Sequence, residues 1–99
     1  MGKVSDFMYS LTEKLMKDKG VVENTALNYM KYLYNLNNQK PFQNLAFLKK
    51  KEEIEKRLQP YSVGTKRNYY IAIVSVLSFY KTKSSYNKLY NYYYEKMVD

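Results

Sequence analysis

The chain has 99 residues, 45% of them apolar, and a formal net charge of +8. That is one domain's length and enough apolar material for a modest core, which excludes disorder. With no cysteine and no histidine, the chain has no disulfide framework or thiolate metal site, and it lacks the commonest metal ligand and the commonest general acid/base.

No segment shows strand alternation between turn signals, and five segments show helical spacing, so the expected fold is all-α. The first predicted helix runs from about Ser5 to Asp18. Ser5 is placed to cap it, Asp6 suits its positive end, and Gly20 suits its stop. Phe7, Met8, Leu11 and Leu15 form its apolar stripe. The second runs from about Thr25 to Leu36 with Asn24 as cap. Ala26, Leu27, Met30, Leu33 and Tyr34 share its core face, and Thr25, Asn28, Lys31, Tyr32 and Asn35 its outer face.

The stretch from Phe42 to Leu48 is too short and irregular for a long helix and predicts a connector that plugs the core with Phe42, Leu45 and Phe47. A third helix, about Lys50 to Leu58, is charged except at Ile54 and Leu58 and is ended by Pro60. The fourth, about Val63 to Lys81, starts at Ser62 or Thr65. Tyr69, Ala72, Ile73, Val76, Leu77 and Tyr80 converge on one side, and Arg67, Tyr70, Val74, Ser78 and Lys81 on the other. Its β-branched residues are weak helix formers, so it needs burial on more than one face and is expected to be central. The fifth begins near Ser85 with Tyr86, Leu89, Tyr90, Tyr93, Tyr94 and Met97 at helical intervals. Its pattern reaches the last residues without a stop, so the expectation is a single domain that continues into a longer protein.

Charge is unevenly placed. Residues 1–48 carry six lysines against four acids, whereas residues 49–99 carry eleven cations against five acids. Between Glu55 and Glu95 there is no acid, yet Lys56, Arg57, Lys66, Arg67, Lys81, Lys83 and Lys88 lie there. A polyanionic partner follows from that distribution. Lysine outnumbers arginine fifteen to two, and tyrosine numbers thirteen. Both have A/T-rich codons, so base composition accounts for part of their abundance.

Catalytic chemistry finds no footing. A tyrosine nucleophile needs cations around a phosphate and a general acid, and two arginines without histidine do not assemble them. Glu52, Glu53 and Glu55 sit among lysines on a short solvated helix, and three scattered glycines form no phosphate loop. No cofactor, metal or small-molecule substrate is expected. No stretch has the roughly 18 apolar residues of a membrane span, and an intracellular protein without a membrane partner is the expectation.

The outer faces of helices two and four carry cations, hydroxyls and amides without acids, the chemistry that meets phosphates or base edges. The bland alternative is that these are merely the wet faces of amphipathic helices. Two further alternatives are a protein-interaction module using the Tyr86/Tyr90/Tyr93/Met97 face of helix five, and a single-strand binder with Tyr32 or Tyr70 stacking on bases.

"ENTALNYMKYLYNLN" (23–37) and "YSVGTKRNYYIAIVSVLSFYK" (61–81) resemble two helices of the N-terminal core-binding, or SAM-like, domain of the tyrosine recombinase and integrase family. The order agrees: a first helix, Thr25-x-x-x-Tyr29, an apolar connector with Leu48, then the Ser62-x-x-Thr65 start. The resemblance spans about residues 5–94, and the Lys/Asn/Tyr-rich texture is similar to recombinases of large DNA viruses and A/T-rich mobile elements. It implies a compact bundle of four to five helices that clamps double-stranded DNA, with other recombinase protomers as further partners and DNA-associated localisation. Carried over by position, the DNA-binding residues are Thr25, Asn28 and Lys31 on helix two and Thr65, Lys66, Arg67 and Tyr70 on helix four; the outer face of helix four adds Lys81 from its own chemistry. The family's catalytic Arg/Lys/His/Arg/Tyr set is not in this chain, so the domain is expected to bind without cutting.

Overall fold

Ser5 sets the first helix. Its Oγ accepts a hydrogen bond from the Met8 N–H (3.2 Å) and donates one to the Phe42 carbonyl (2.6 Å). One hydroxyl thus caps α1 (Asp6–Lys19) and pins the distant connector to it. α1 stops at Gly20, which has φ +65°, while the Val21 N–H returns to the Leu15 carbonyl (3.1 Å). A left-handed residue and this long return bond are the usual way to satisfy the last carbonyls of a helix.

The computed structural model describes residues 4–98. Beyond α1 it contains α2 (Glu23–Leu36), a 3-10 turn (Ala46–Lys49), α3 (Lys51–Leu58), α4 (Val63–Leu77) and α5 (Ser84–Val98), with no strand among the described residues. The fold is therefore an all-α bundle, with a Cα radius of gyration of 12.7 Å. No helix among the described residues is long and apolar enough to cross a membrane.

α4 is the centre. It packs on α5 and α2 and touches α1, and it buries Tyr69, Tyr70, Ala72, Ile73, Val74, Val76 and Leu77. A single apolar stripe could not hide Tyr69 and Val74 together. The helix needs two covered faces, and α2 and α5 supply them. The connector works as expected: Phe42 and Leu45 are buried, Phe47 half-buried, and Leu48 wholly enclosed. α3 contributes Ile54 and Leu58.

Two boundaries differ from the sequence reading. α2 begins at Glu23, with Val22 rather than Asn24 at the cap position and no side-chain cap bond. Glu23 favours the positive end of the helix there in place of a cap. α4 ends at Leu77, four residues early. The Phe79 and Tyr80 N–H groups bond to Val76 and Leu77 carbonyls, three residues back, and the Ser78 hydroxyl donates to the Ser75 carbonyl (2.7 Å). This tightening turns Phe79 and Tyr80 onto the core edge, where both are half-buried. Lys81 consequently lies in the turn between α4 and α5, not on a helix.

Ser5→Ala removes the cap and leaves the Phe42 carbonyl without its partner. The expected cost is about 2 kcal/mol, a fall of about 10 °C in the thermal midpoint. Thermal unfolding followed by circular dichroism measures it.

Candidate nucleic-acid interface

The start of α4 gathers the cations. Ser62 caps the helix: its Oγ accepts from the Thr65 N–H (3.3 Å) and donates to the Thr65 Oγ1 (3.2 Å). Thr65 is thus half-buried and engaged in the cap. Gly64 is exposed, and a Cβ built there would meet nothing within 4 Å. Lys66 and Arg67 follow in the first turns. Lys66 lines an open cleft of about 460 Å³ with Lys56, Tyr70 and Lys96, together with Glu52 and Glu55. Arg67 lines an adjoining cleft of about 250 Å³ with Lys66, Tyr70, Lys96 and Met97. Four cations therefore converge where α3, the beginning of α4 and the end of α5 meet. Of the two carboxylates, Glu55 is engaged: it accepts a hydrogen bond from the Tyr92 hydroxyl and pairs with Lys96 Nζ at 3.8 Å.

α2 approaches α4 on a different side. The Tyr32 ring packs on the Tyr69 ring with centroids 4.6 Å apart, and Asn35 Nδ2 donates to the Tyr69 hydroxyl (3.2 Å). Tyr61 stacks on the same ring at 5.4 Å. Tyr32 and Asn35, expected on an outer face, are thus spent on the α2–α4 contact. Lys31 and Asn28 are exposed on α2, and Thr25 is half-buried. Tyr69 and Arg67 lie two residues apart, roughly 160° around the helix. The side of α4 that meets α2 is therefore not the side that carries Arg67. Lys66 and Arg67 join Lys56 and Lys96 at this end of α4.

Tyr70 corrects the sequence reading most directly. It is 9% exposed, with its ring 6.2 Å from that of Tyr93. The middle of the outward stripe assigned to α4, Tyr70 and Val74, is instead a second buried face, because α5 covers it, while Arg67 and Lys81 at its ends are exposed. Tyr70 is too buried to offer a ring face to a base, and half-buried Tyr32 packs its ring on Tyr69. The α5 face divides as well: Tyr93 is fully buried, Tyr86, Tyr90 and Met97 are half-buried, and Tyr94 is exposed. An interaction surface built on Tyr93 is thereby excluded.

The sequence reading missed where the lysines rest. Lys14 lies over both Phe79 and Tyr80 (5.7 Å each), Lys19 over Phe79 (5.4 Å), and Lys83 over Tyr80 (5.7 Å). Lys49 lies over Tyr86 (4.9 Å) and Lys81 over Tyr90 (5.4 Å). Lys51 and Lys96 lie over Tyr92 (4.6 and 5.6 Å). Folded proteins show such pairs about once per 70–80 residues, so this density is a property of the surface. Lys96–Glu55 is the one ion pair among the described residues. For Lys81 and Lys83 the acid-free span from Glu55 to Glu95 was the available signal.

No family model matches the chain, and no curated protein or solved structure matches it.

Burial pushes the Tyr93 phenol well above its ordinary value of 10.0, and the nearby Tyr70 and Glu55 add to the shift. Burial raises Tyr69, Tyr70 and Tyr80 too, while the Asn35 hydrogen bond lowers Tyr69 in part. The unfolded chain releases these protons first, so their contribution is intact below pH about 10 and is lost as pH rises toward the folded values. Stability is expected to fall steeply above pH about 10 in urea titrations. Tyr93→Phe should flatten that fall. At neutral pH it should cost about 1–2 kcal/mol, because the Tyr93 hydroxyl donates to the buried Leu48 carbonyl (2.7 Å).

Proposed function

We propose that the chain is a non-catalytic duplex-DNA-binding domain of the core-binding type found in tyrosine recombinases and integrases, with strand cleavage residing elsewhere in the parent protein. The observation that carries the proposal is the convergence of Lys66 and Arg67 with Lys56 and Lys96 around the capped, open start of α4. Lysine and arginine neutralise phosphates, and backbone N–H groups at a helix start add hydrogen-bond donors for phosphate oxygens. With Glu55 held by Tyr92 and Lys96, the cluster keeps a net positive charge.

The resemblance of residues 23–37 and 61–81 to the core-binding helices supports the same reading, with one revision. The principal contact is the start of α4 with the end of α5 rather than a face shared by α2 and α4. Asn28 and Lys31 are exposed and form a secondary contact, Thr65 orders the first turn, and Tyr70 shapes the cleft wall from within. Lys81 lies beyond the other end of α4 and is not part of this contact.

Duplex affinity should fall steeply with salt, because each neutralised phosphate releases about 0.9 of a counterion. Lys66→Glu with Arg67→Glu should weaken duplex binding more than about tenfold and flatten the salt slope by about 2. The helical circular dichroism spectrum should not change. Fluorescence anisotropy with a labelled duplex between about 50 and 200 mM salt reads both. Salt-independent affinity would exclude the phosphate contact.

A further inference from the structure

We infer that the far end of α4 carries a second nucleic-acid surface: a strip of aromatic rings and lysines that binds single-stranded DNA. The strip runs from the end of α1 across the α4–α5 turn to the first turns of α5. Along it rings and ammonium groups alternate by contact: Lys19, Phe79, Lys14, Tyr80, then Tyr86 with Lys49. The Tyr80 and Tyr86 centroids are 5.8 Å apart, so the row of rings passes directly from the turn to α5.

Two properties point to a single strand. The first is charge. Lys14, Lys19, Lys49, Lys81 and Lys83 are all exposed, and none has a carboxylate within 4.0 Å among the described residues. No ion pair holds these ammonium groups among the described residues, and a phosphate chain complements them. The second is the state of the rings. Phe79, Tyr80, Tyr86 and Tyr90 are half-buried, anchored at one edge, with ammonium groups over their faces. An ammonium over a solvent-exposed ring is held more weakly than a stacked base. A base can therefore take the ring face while the displaced lysine moves to the neighbouring phosphate. A duplex cannot use this strip, since its bases offer their faces only to one another, whereas an unpaired strand presents them.

The strip is distinct from the cationic cluster described above. α4 has 15 residues, so its two ends lie about 22 Å apart. The choice of DNA over RNA rests on the duplex-DNA reading; the existence of the strip does not.

The probe is an oligothymidine of about 12 nucleotides, followed by intrinsic tyrosine fluorescence and by anisotropy, with a duplex of equal length beside it. Wild-type protein is expected to bind the single strand with quenching of tyrosine emission. Lys81→Glu with Lys83→Glu, both exposed and outside the core, should weaken that binding more than about tenfold and change duplex affinity less than about threefold. Tyr86→Leu keeps apolar bulk without a stacking face, and it should reduce the quench and weaken single-strand binding several-fold. Absence of oligothymidine binding overturns the inference, as does binding that the Lys81/Lys83 reversal leaves unchanged. Single-strand binding lost only with Lys66→Glu and Arg67→Glu also overturns it, by assigning the strand to the duplex surface. Equal or tighter binding of oligouridine overturns the assignment to DNA. Loss of duplex binding alone, with the single-strand results intact, removes the duplex proposal and leaves the strip standing.

Discussion

The structure depends on the burial of α4 from two sides. Ile71, Ile73, Val74 and Val76 are poor helix formers, each costing about half a kcal/mol relative to alanine. Enclosing such a side chain returns about 1.5–3 kcal/mol, so the helix exists because α2 and α5 close over it. That closure decides where function can lie. With Tyr69, Ile73 and Val76 on one covered side and Tyr70 and Val74 on another, little of the helix flank is left for a ligand. Cations on this part of the chain are displaced to the helix ends: Lys66 and Arg67 before the enclosed section, Lys81 and Lys83 after it.

Two polar ties hold the connector that makes this closure possible. The Ser5 hydroxyl holds the Phe42 carbonyl and the Tyr93 hydroxyl holds the Leu48 carbonyl, from α1 and α5 respectively. Buried carbonyls without partners are costly, so these bonds select one path for a segment with little regular structure. That path places Leu45 and Leu48 in the core. It also delivers α3 beside the start of α4, which brings Lys56 and Glu55 to the cationic cleft.

Much of the fold was legible because its punctuation is local. Ser5, Gly20, Pro60 and Ser62 each act through their own backbone or their nearest neighbours, and all four mark the boundaries their chemistry implies. The start of α2 was misplaced because a cap position can be occupied without a capping side chain. The end of α4 was misplaced because apolar periodicity continues through Phe79 and Tyr80 after the helix has tightened. Tyr70, expected on the outer face of α4, was misread for a deeper reason. A helical wheel shows how residues are distributed around one axis, not how many neighbours press on it. A second covered face converts an outer stripe into core, and Tyr70 moved inside accordingly. The lysine–aromatic strip was out of reach because it joins α1, the turn and α5, which only tertiary packing brings together.

Resting lysines on rings rather than on acids frees the fold, though not its binding, from dependence on any one of them. Where a charge is paired with a carboxylate, replacing it strands its partner, so the two positions must change together. Of the seven ring-bound lysines only Lys96 has such a partner among the described residues. Each of the other six can be exchanged for arginine, glutamine or a smaller residue one position at a time, with no orphaned anion left behind. Over evolutionary time the electrostatic character of this domain can therefore be retuned in single steps while its interior stays as it is.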